Sequence, residues 1–202
     1  EPGEEHKETI ETASRAAAAG GVTTMVALPN TTPVIDDVSV VEFMHRHAKE
    51  AGAVRVRCYG SVTRGTMGEQ LTEMGLLAEA GAVAFTDGTR AVANTMVMRR
   101  ALSYARGFDL MIAQHPEDPQ LANGGVMNEG EIASRLGLGG IPAEAEIIMV
   151  ERDLRLAELT GGRYHAAHIS TRGAIDALRR AKARGLDVSC DTAPHYFALN
   201  ES

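Results

Sequence analysis

The chain has 202 residues, 44% hydrophobic and 23% charged, an ordinary globular composition long enough for one sizeable core. Its net charge of −7 supplies neither a basic face for nucleic acid nor a polybasic patch for a membrane surface. No apolar run approaches the roughly 18 residues that a bilayer span needs. The opening EPGEEHKE is not a secretory leader and lacks Met, so this sequence reads as a piece of a longer one, and two cysteines that read as free thiols fit an expected cytoplasmic setting.

Residues 8–19 (ETIETASRAAAA) are rich in helix formers and stop at Gly20-Gly21. Residues 22–28 read as a strand, broken by the loop Pro29-Asn30-Thr31-Thr32-Pro33. A helix is predicted over 38–51, closed by Gly52, then a strand over 54–62 and a helix near 66–80, closed by Gly81. A strand over 82–87 (AVAFTD), a helix near 94–106 closed by Gly107 and a strand over 110–115 (LMIAQH) follow. Residues 116–160 form a long, Gly-rich, partly helical excursion, and its glycines predict that 116–142 is mobile. The chain ends with a strand over 163–168, a helix over 173–184 and a strand over 187–191.

Strands alternating with helices indicate repeated βα units, an α/β chain with a parallel sheet. The strands are nearly continuous apolar runs, as expected where both faces are covered. An open doubly wound sheet and a (β/α)8 barrel both fit. No Gly-rich dinucleotide loop follows the first strand, which weakens the nucleotide-binding reading, and six units are two short of a barrel.

In a parallel barrel, chemistry collects where strands end. Here those ends carry Asn30, Asp87, His115, His168 and Asp191. Neutral imidazole with carboxylate suits zinc. A strand-end His is also commonly a satisfied loop residue, Asp87-Gly88 is an ordinary turn signal, and Asp191 serves equally well as a turn cap. His45 and His47 fall in a helical pattern, where positions two apart point about 200° apart, so they cannot share an ion. They and the Glu and Arg clusters at 131–158 read as solvated helix faces. His165, three residues before His168 on one strand, is expected on the opposite face, and His195 follows Pro194 in a loop. Cys58 and Cys190 lack a CxxC pairing and read as buried free thiols.

The stretch EPGEEHKETIETASRAAAAGGVTTMVALPNTTP resembles the one that follows the first strand of bacterial dihydroorotases. The similarity continues through AFTDG, VMRRAL, QHPED, GVMNEGE, HAAHIST and TAPHYFALNE, in order along essentially the whole chain. It implies a (β/α)8 TIM barrel of amidohydrolase type, present here as a partial barrel lacking its first and last strands. Residues 1–202 would be the central part of a single barrel domain. His115 and His168 match two metal-binding His of that family, and Asn30 matches an Asn that binds the substrate. Many relatives carry Phe-Thr-Asp-Asp-Gly, the second Asp bridging two metals. Here the text is Phe85-Thr86-Asp87-Gly88, one acid short, which sets Gly88 at the bridging position and makes Asp87 the candidate substitute. Hydantoinase-like and allantoinase-like relatives bridge their metals with a carboxylated Lys. None of Lys7, Lys49 and Lys182 ends a strand, which favours the dihydroorotase subgroup.

The resemblance implies one or two zinc ions and hydrolysis of a cyclic amide, the interconversion of dihydroorotate and N-carbamoyl-aspartate in pyrimidine synthesis. The family's HxH motif and its catalytic Asp, expected beyond residue 202, lie outside the sequence, so the segment alone is expected to be inactive. Its implied partners are a small-molecule substrate and either a homo-oligomer or an aspartate transcarbamoylase complex. The shortened TDG motif keeps open an inactive dihydroorotase-like partner of aspartate transcarbamoylase, and because fold does not fix substrate, another cyclic-amide hydrolase stays open too.

Overall fold

Thr9 starts the first helix, α1 (Ile10–Ala19), by a reciprocal cap: its hydroxyl accepts from the Thr12 N–H, and the Thr12 hydroxyl accepts from the Thr9 N–H. This helix belongs to the first of two compact units, Glu1–Thr89 and Arg90 onward, of a computed structural model that describes residues 1–200. In the first unit β1 (Thr24–Ala27) runs parallel to β2 (Arg55–Cys58), connected by α2 (Val38–Ala51). Asp37 caps α2 by accepting from the Ser39 N–H at 2.9 Å, and Val41 and Met44 form its buried face.

Two expectations change here. The helix predicted over 66–80 is only α3 (Met74–Ala80). Upstream of it the Thr72 hydroxyl donates to the Ser61 carbonyl at 2.6 Å, and Thr63 bridges Leu71 antiparallel, so that part of the chain is pulled into extended structure. The strand predicted over 82–87 is a single parallel bridge, Gly60 to Phe85, continuing beside β2. Val83 donates its N–H to the Cys58 carbonyl, and Thr86 to that of Gly60. The buried Phe85 ring occupies the space at Gly60, where a Cβ would lie 2.6 Å from it.

The second unit begins with α4 (Thr95–Arg106) and β3 (Met111–Gln114). The excursion that follows is more regular than expected. It contains α5 (Pro119–Ala122), β4 (Met127–Asn128), α6 (Glu131–Leu136) and β5 (Gly140–Ile141), with β4 and β5 paired in parallel. It ends in the 17-residue helix α7 (Glu144–Thr160). Then come β6 (Arg163–Ala166), α8 (Arg172–Ala183), β7 (Val188–Cys190) and α9 (Pro194–Ala198). The sheet order is β3-β6-β7, all parallel. Ala101 and Ala105 of α4 and Ala174, Ala177 and Ala181 of α8 are buried, and side chains this small allow close helix packing.

Both cysteines are free, but only Cys58 is buried, and burial pushes its thiol up to about 11. Cys190 is exposed, which corrects the expectation for it: it ends β7, which pairs only with β6 among the described strands. Among the described residues no helix is long and apolar enough to cross a membrane.

Candidate active site

Parallel register determines which residues emerge together. Gln114, Ala166 and Cys190 lie side by side across β3, β6 and β7, so His115, His168 and Asp191 follow strand ends at one edge. The rings of His115 and His168 have centroids 5.8 Å apart. Two imidazoles on one tetrahedral ion stand at about that separation, given metal–nitrogen bonds of roughly 2 Å. The Nδ1 of His115 is buried and has no hydrogen-bond partner among the described residues. Burial, reinforced by the neighbouring His168, holds this imidazole below the usual histidine range although Glu117 and Glu146 oppose the shift. A neutral ring is the ligand form. The pair therefore fits the metal that the sequence implies.

His168 adopts φ +59, a left-handed conformation that costs a non-glycine residue about 1 kcal/mol or more. Asp191 holds it there: Oδ1 accepts the His168 N–H at 2.7 Å and lies 3.4 Å from Nδ1. The second oxygen of Asp191 meets His165 Nε2 at 2.9 Å, and His165 Nδ1 meets the Ser189 hydroxyl at 2.8 Å. Partial burial opposes ionisation of Asp191, but the bonds from His165 and the His168 amide prevail and lower its pKa. His115 and His168 open onto one side of the second unit, where they, Glu146, Met127, Ile141 and His195 line a cleft of about 720 Å³ with other residues.

Asn30 and Asp87 lie in the first unit. Asn30 is exposed, and its Oδ1 stands over Gly88, 2.8 Å from where a Cβ would be. Asp87 is buried, its Oδ1 accepting the Thr63 N–H at 2.8 Å and its Oδ2 the Thr63 hydroxyl. Among the described residues no three His, Cys, Asp or Glu side chains gather tightly enough to form a complete metal site.

Residues 1–174 match the family model described as dihydro-orotase-like. The chain belongs to that family. A dihydroorotase of Syntrophobacter fumaroxidans is 54% identical over 201 residues, which cover 100% of this chain and 46% of the relative. One of Syntrophotalea carbinolica is 50% identical, again over all of this chain and 47% of its own. The chain thus spans about half the length of the curated relatives it matches. Among solved structures, an L-hydantoinase from Arthrobacter aurescens superposes with a TM-score of 0.74 at 22% identity, covering 95% of this chain and 44% of that one. A D-hydantoinase gives 0.72 at 21%, covering 96% and 44%. These likenesses show a shared fold.

Around the candidate site and elsewhere in this family member, several residues differ from the sequence reading. His165 was expected on the opposite face from His168, but β6 ends at Ala166, so strand alternation does not reach His168 and both rings meet Asp191. His45 and His47 do lie on a helix and do not converge, yet both are half-buried: His45 Nε2 contacts the Gly81 carbonyl and His47 Nδ1 that of Phe43. His195 sits on α9 rather than in a loop. The Glu and Arg clusters at 131–158 are not all solvated, since the Arg152 side chain is only 16% exposed and bonds to the fully buried Asp153. His6 is exposed, and Glu201, the last residue of the TAPHYFALNE match, lies outside the described residues.

Proposed function

We propose that this chain is the central part of a single amidohydrolase barrel, a (β/α)8 barrel here without its first and last strands. We infer that the intact protein interconverts dihydroorotate and N-carbamoyl-aspartate in pyrimidine synthesis. The observation that carries this reading is the His115–His168 pair, with tilted rings 5.8 Å apart just after adjacent strand ends and an unpartnered buried nitrogen on His115. The 54% and 50% identical dihydroorotases support the substrate assignment. His115 and His168 would hold zinc, with Asp87 as a further candidate ligand, and zinc when bound makes hydroxide available near neutral pH and polarises the ring carbonyl. Asn30, exposed beside the 87–88 turn, would orient the substrate by hydrogen bonding. Asp191 fixes His168 through its backbone N–H and ring, a carboxylate–histidine support of the kind that orients metal ligands. The free thiols fit a reducing, cytoplasmic setting. Gly88 in the place of an acid favours one second reading, an inactive homologue that serves as a structural partner of aspartate transcarbamoylase.

The test is His168→Ala in the intact protein, measuring zinc content, dihydroorotate hydrolysis and thermal melting. His168 is partly exposed and follows Ala166 and Ala167, so its ring supports little packing. The expected result is loss of metal and of hydrolysis with the melt nearly unchanged. Unchanged activity in the folded variant removes His168 from the site. A wild-type protein that binds no zinc and hydrolyses nothing selects the structural-partner reading.

A further inference from the structure

The four residues from His168 to Thr171 present four successive backbone N–H groups, and two acidic residues take up all of them. His168 donates to Asp191 Oδ1 at 2.7 Å, and Ile169 donates to the Asp191 carbonyl at 2.9 Å. Ser170 donates to Glu146 Oε2 at 3.0 Å and Thr171 to Glu146 Oε1 at 2.9 Å. The two hydroxyls add to the same carboxylate: Ser170 Oγ reaches Oε2 at 2.8 Å and Thr171 Oγ1 reaches Oε1 at 2.6 Å. Thr171 also caps α8, accepting from the Ala174 N–H, so its position is fixed from both sides. Glu146 itself sits in the first turn of α7, where the helix dipole favours an anion.

Glu146 lines the same cleft as the histidines, which invites a reading as a base or a metal ligand. Its bonding argues otherwise. A carboxylate offers about four lone-pair sites, and two amides and two hydroxyls already occupy those of Glu146. What it grips is the segment that carries a strained histidine. Asp191 secures the first half of that segment, and Glu146 the second.

We propose that Glu146 is a positioning residue for His168: by clamping residues 170 and 171 to α7 it holds the left-handed turn that aims the imidazole. The inference rests on His168 being a metal ligand. Removing a group that orients a ligand typically costs 10–100-fold in metal affinity. In Glu146→Gln one acceptor oxygen survives, while the new NH2 group faces donors at residues 170–171. The fold keeps its shape, but the clamp loses half its acceptors.

The experiment uses the intact protein stripped of metal and titrated with Co(II) alone, comparing wild type, Glu146→Gln and His168→Ala. Readouts are the Co(II) dissociation constant, the visible d–d spectrum and the thermal melt, with kcat and KM for dihydroorotate on the reloaded enzyme. Glu146→Gln is expected to weaken Co(II) binding by roughly 10-fold or more, to shift the d–d bands, and to lower kcat more than it raises KM. His168→Ala loses the site. Wild-type affinity and spectrum in Glu146→Gln, with the site lost in His168→Ala, overturn this inference alone. A site retained in His168→Ala overturns the assignment of His168 and the inference with it. Should Glu146→Gln fail to fold, Ser170→Ala decides, because it removes one clamp bond from an exposed residue and keeps the backbone. A few-fold weaker Co(II) affinity with a shifted spectrum supports the clamp, and wild-type values overturn it.

Discussion

Gly88 stands where the sequence resemblance implies a second acid in many relatives, and its backbone explains why an acid is not simply exchangeable here. Its φ of +71 strains an L side chain, and a Cβ there would meet Asn30 Oδ1 at 2.8 Å. Asp tolerates the left-handed region better than most residues, so Gly88→Asp should fold, but Asn30 has to move aside. The expected outcome is a loss of about 1–2 kcal/mol in unfolding free energy, measured by urea denaturation, with weaker substrate binding if Asn30 contacts the substrate. Undiminished stability would show that the turn has room that the geometry denies. Asp87 is constrained differently, because both its oxygens are engaged by Thr63. Any metal it holds has to share those lone pairs.

At the level of elements, the strands and helices that repeat the βα pattern were legible in sequence. Residues 38–51 form the helix that their spacing predicts, the strands over 110–115 and 187–191 lose one residue at each end, and the strand over 163–168 loses its last two. Helix α7 read as only part of a loop-rich excursion because Asp153 interrupts its buried face of Ala145, Met149, Val150, Leu154, Leu156 and Ala157, while Ile148 and Leu159 lie exposed off that face. The site was legible to the same depth. His115 and His168 follow the ends of β3 and β6 and stand out in the sequence as candidate ligands. Glu146 has its partners at 170 and 171, across a helix and a strand, and no local pattern announces such a bond. The mobility expected of 116–142 now has a sharper form. Strand β6 is flanked on both sides by β3 and β7, whereas β4 and β5 form a two-residue ladder. Amide exchange monitored by mass spectrometry should therefore be at least roughly tenfold faster across 124–141 than in β6. Equal protection would mean that the short ladder is as firmly held as the sheet.

Across the second unit as a whole, one buried polar network ties its elements together and makes its stability pH-dependent. Asp153 of α7 accepts from Arg152 Nε at 2.9 Å and from the Tyr164 hydroxyl of β6 at 3.1 Å. Arg152 continues to the carbonyls of Ala93 at 2.5 Å and Val92 at 2.9 Å, and Gln114, last residue of β3, accepts the Val92 N–H at 3.1 Å. Burial pushes the Asp153 carboxyl up from 3.8 to about 6, although Arg152 and Tyr164 pull it down. Between those values the folded protein keeps a proton that the unfolded chain has released. Stability contributed by this group is therefore complete below pH 3.8 and declines as pH rises through about 6. A displacement of that size corresponds to roughly 3 kcal/mol. Asp153→Asn removes the titration and preserves the shape, since its amide oxygen accepts from Arg152 and the Tyr164 hydroxyl can turn to accept from the amide nitrogen. Urea denaturation of the intact protein and of this variant, followed from pH 4 to 7, should show the wild-type advantage shrinking as pH rises to about 6.5 and levelling beyond it. An advantage that stays constant, or grows over that interval, would mean that the Arg152 charge outweighs burial and that Asp153 is ionised throughout.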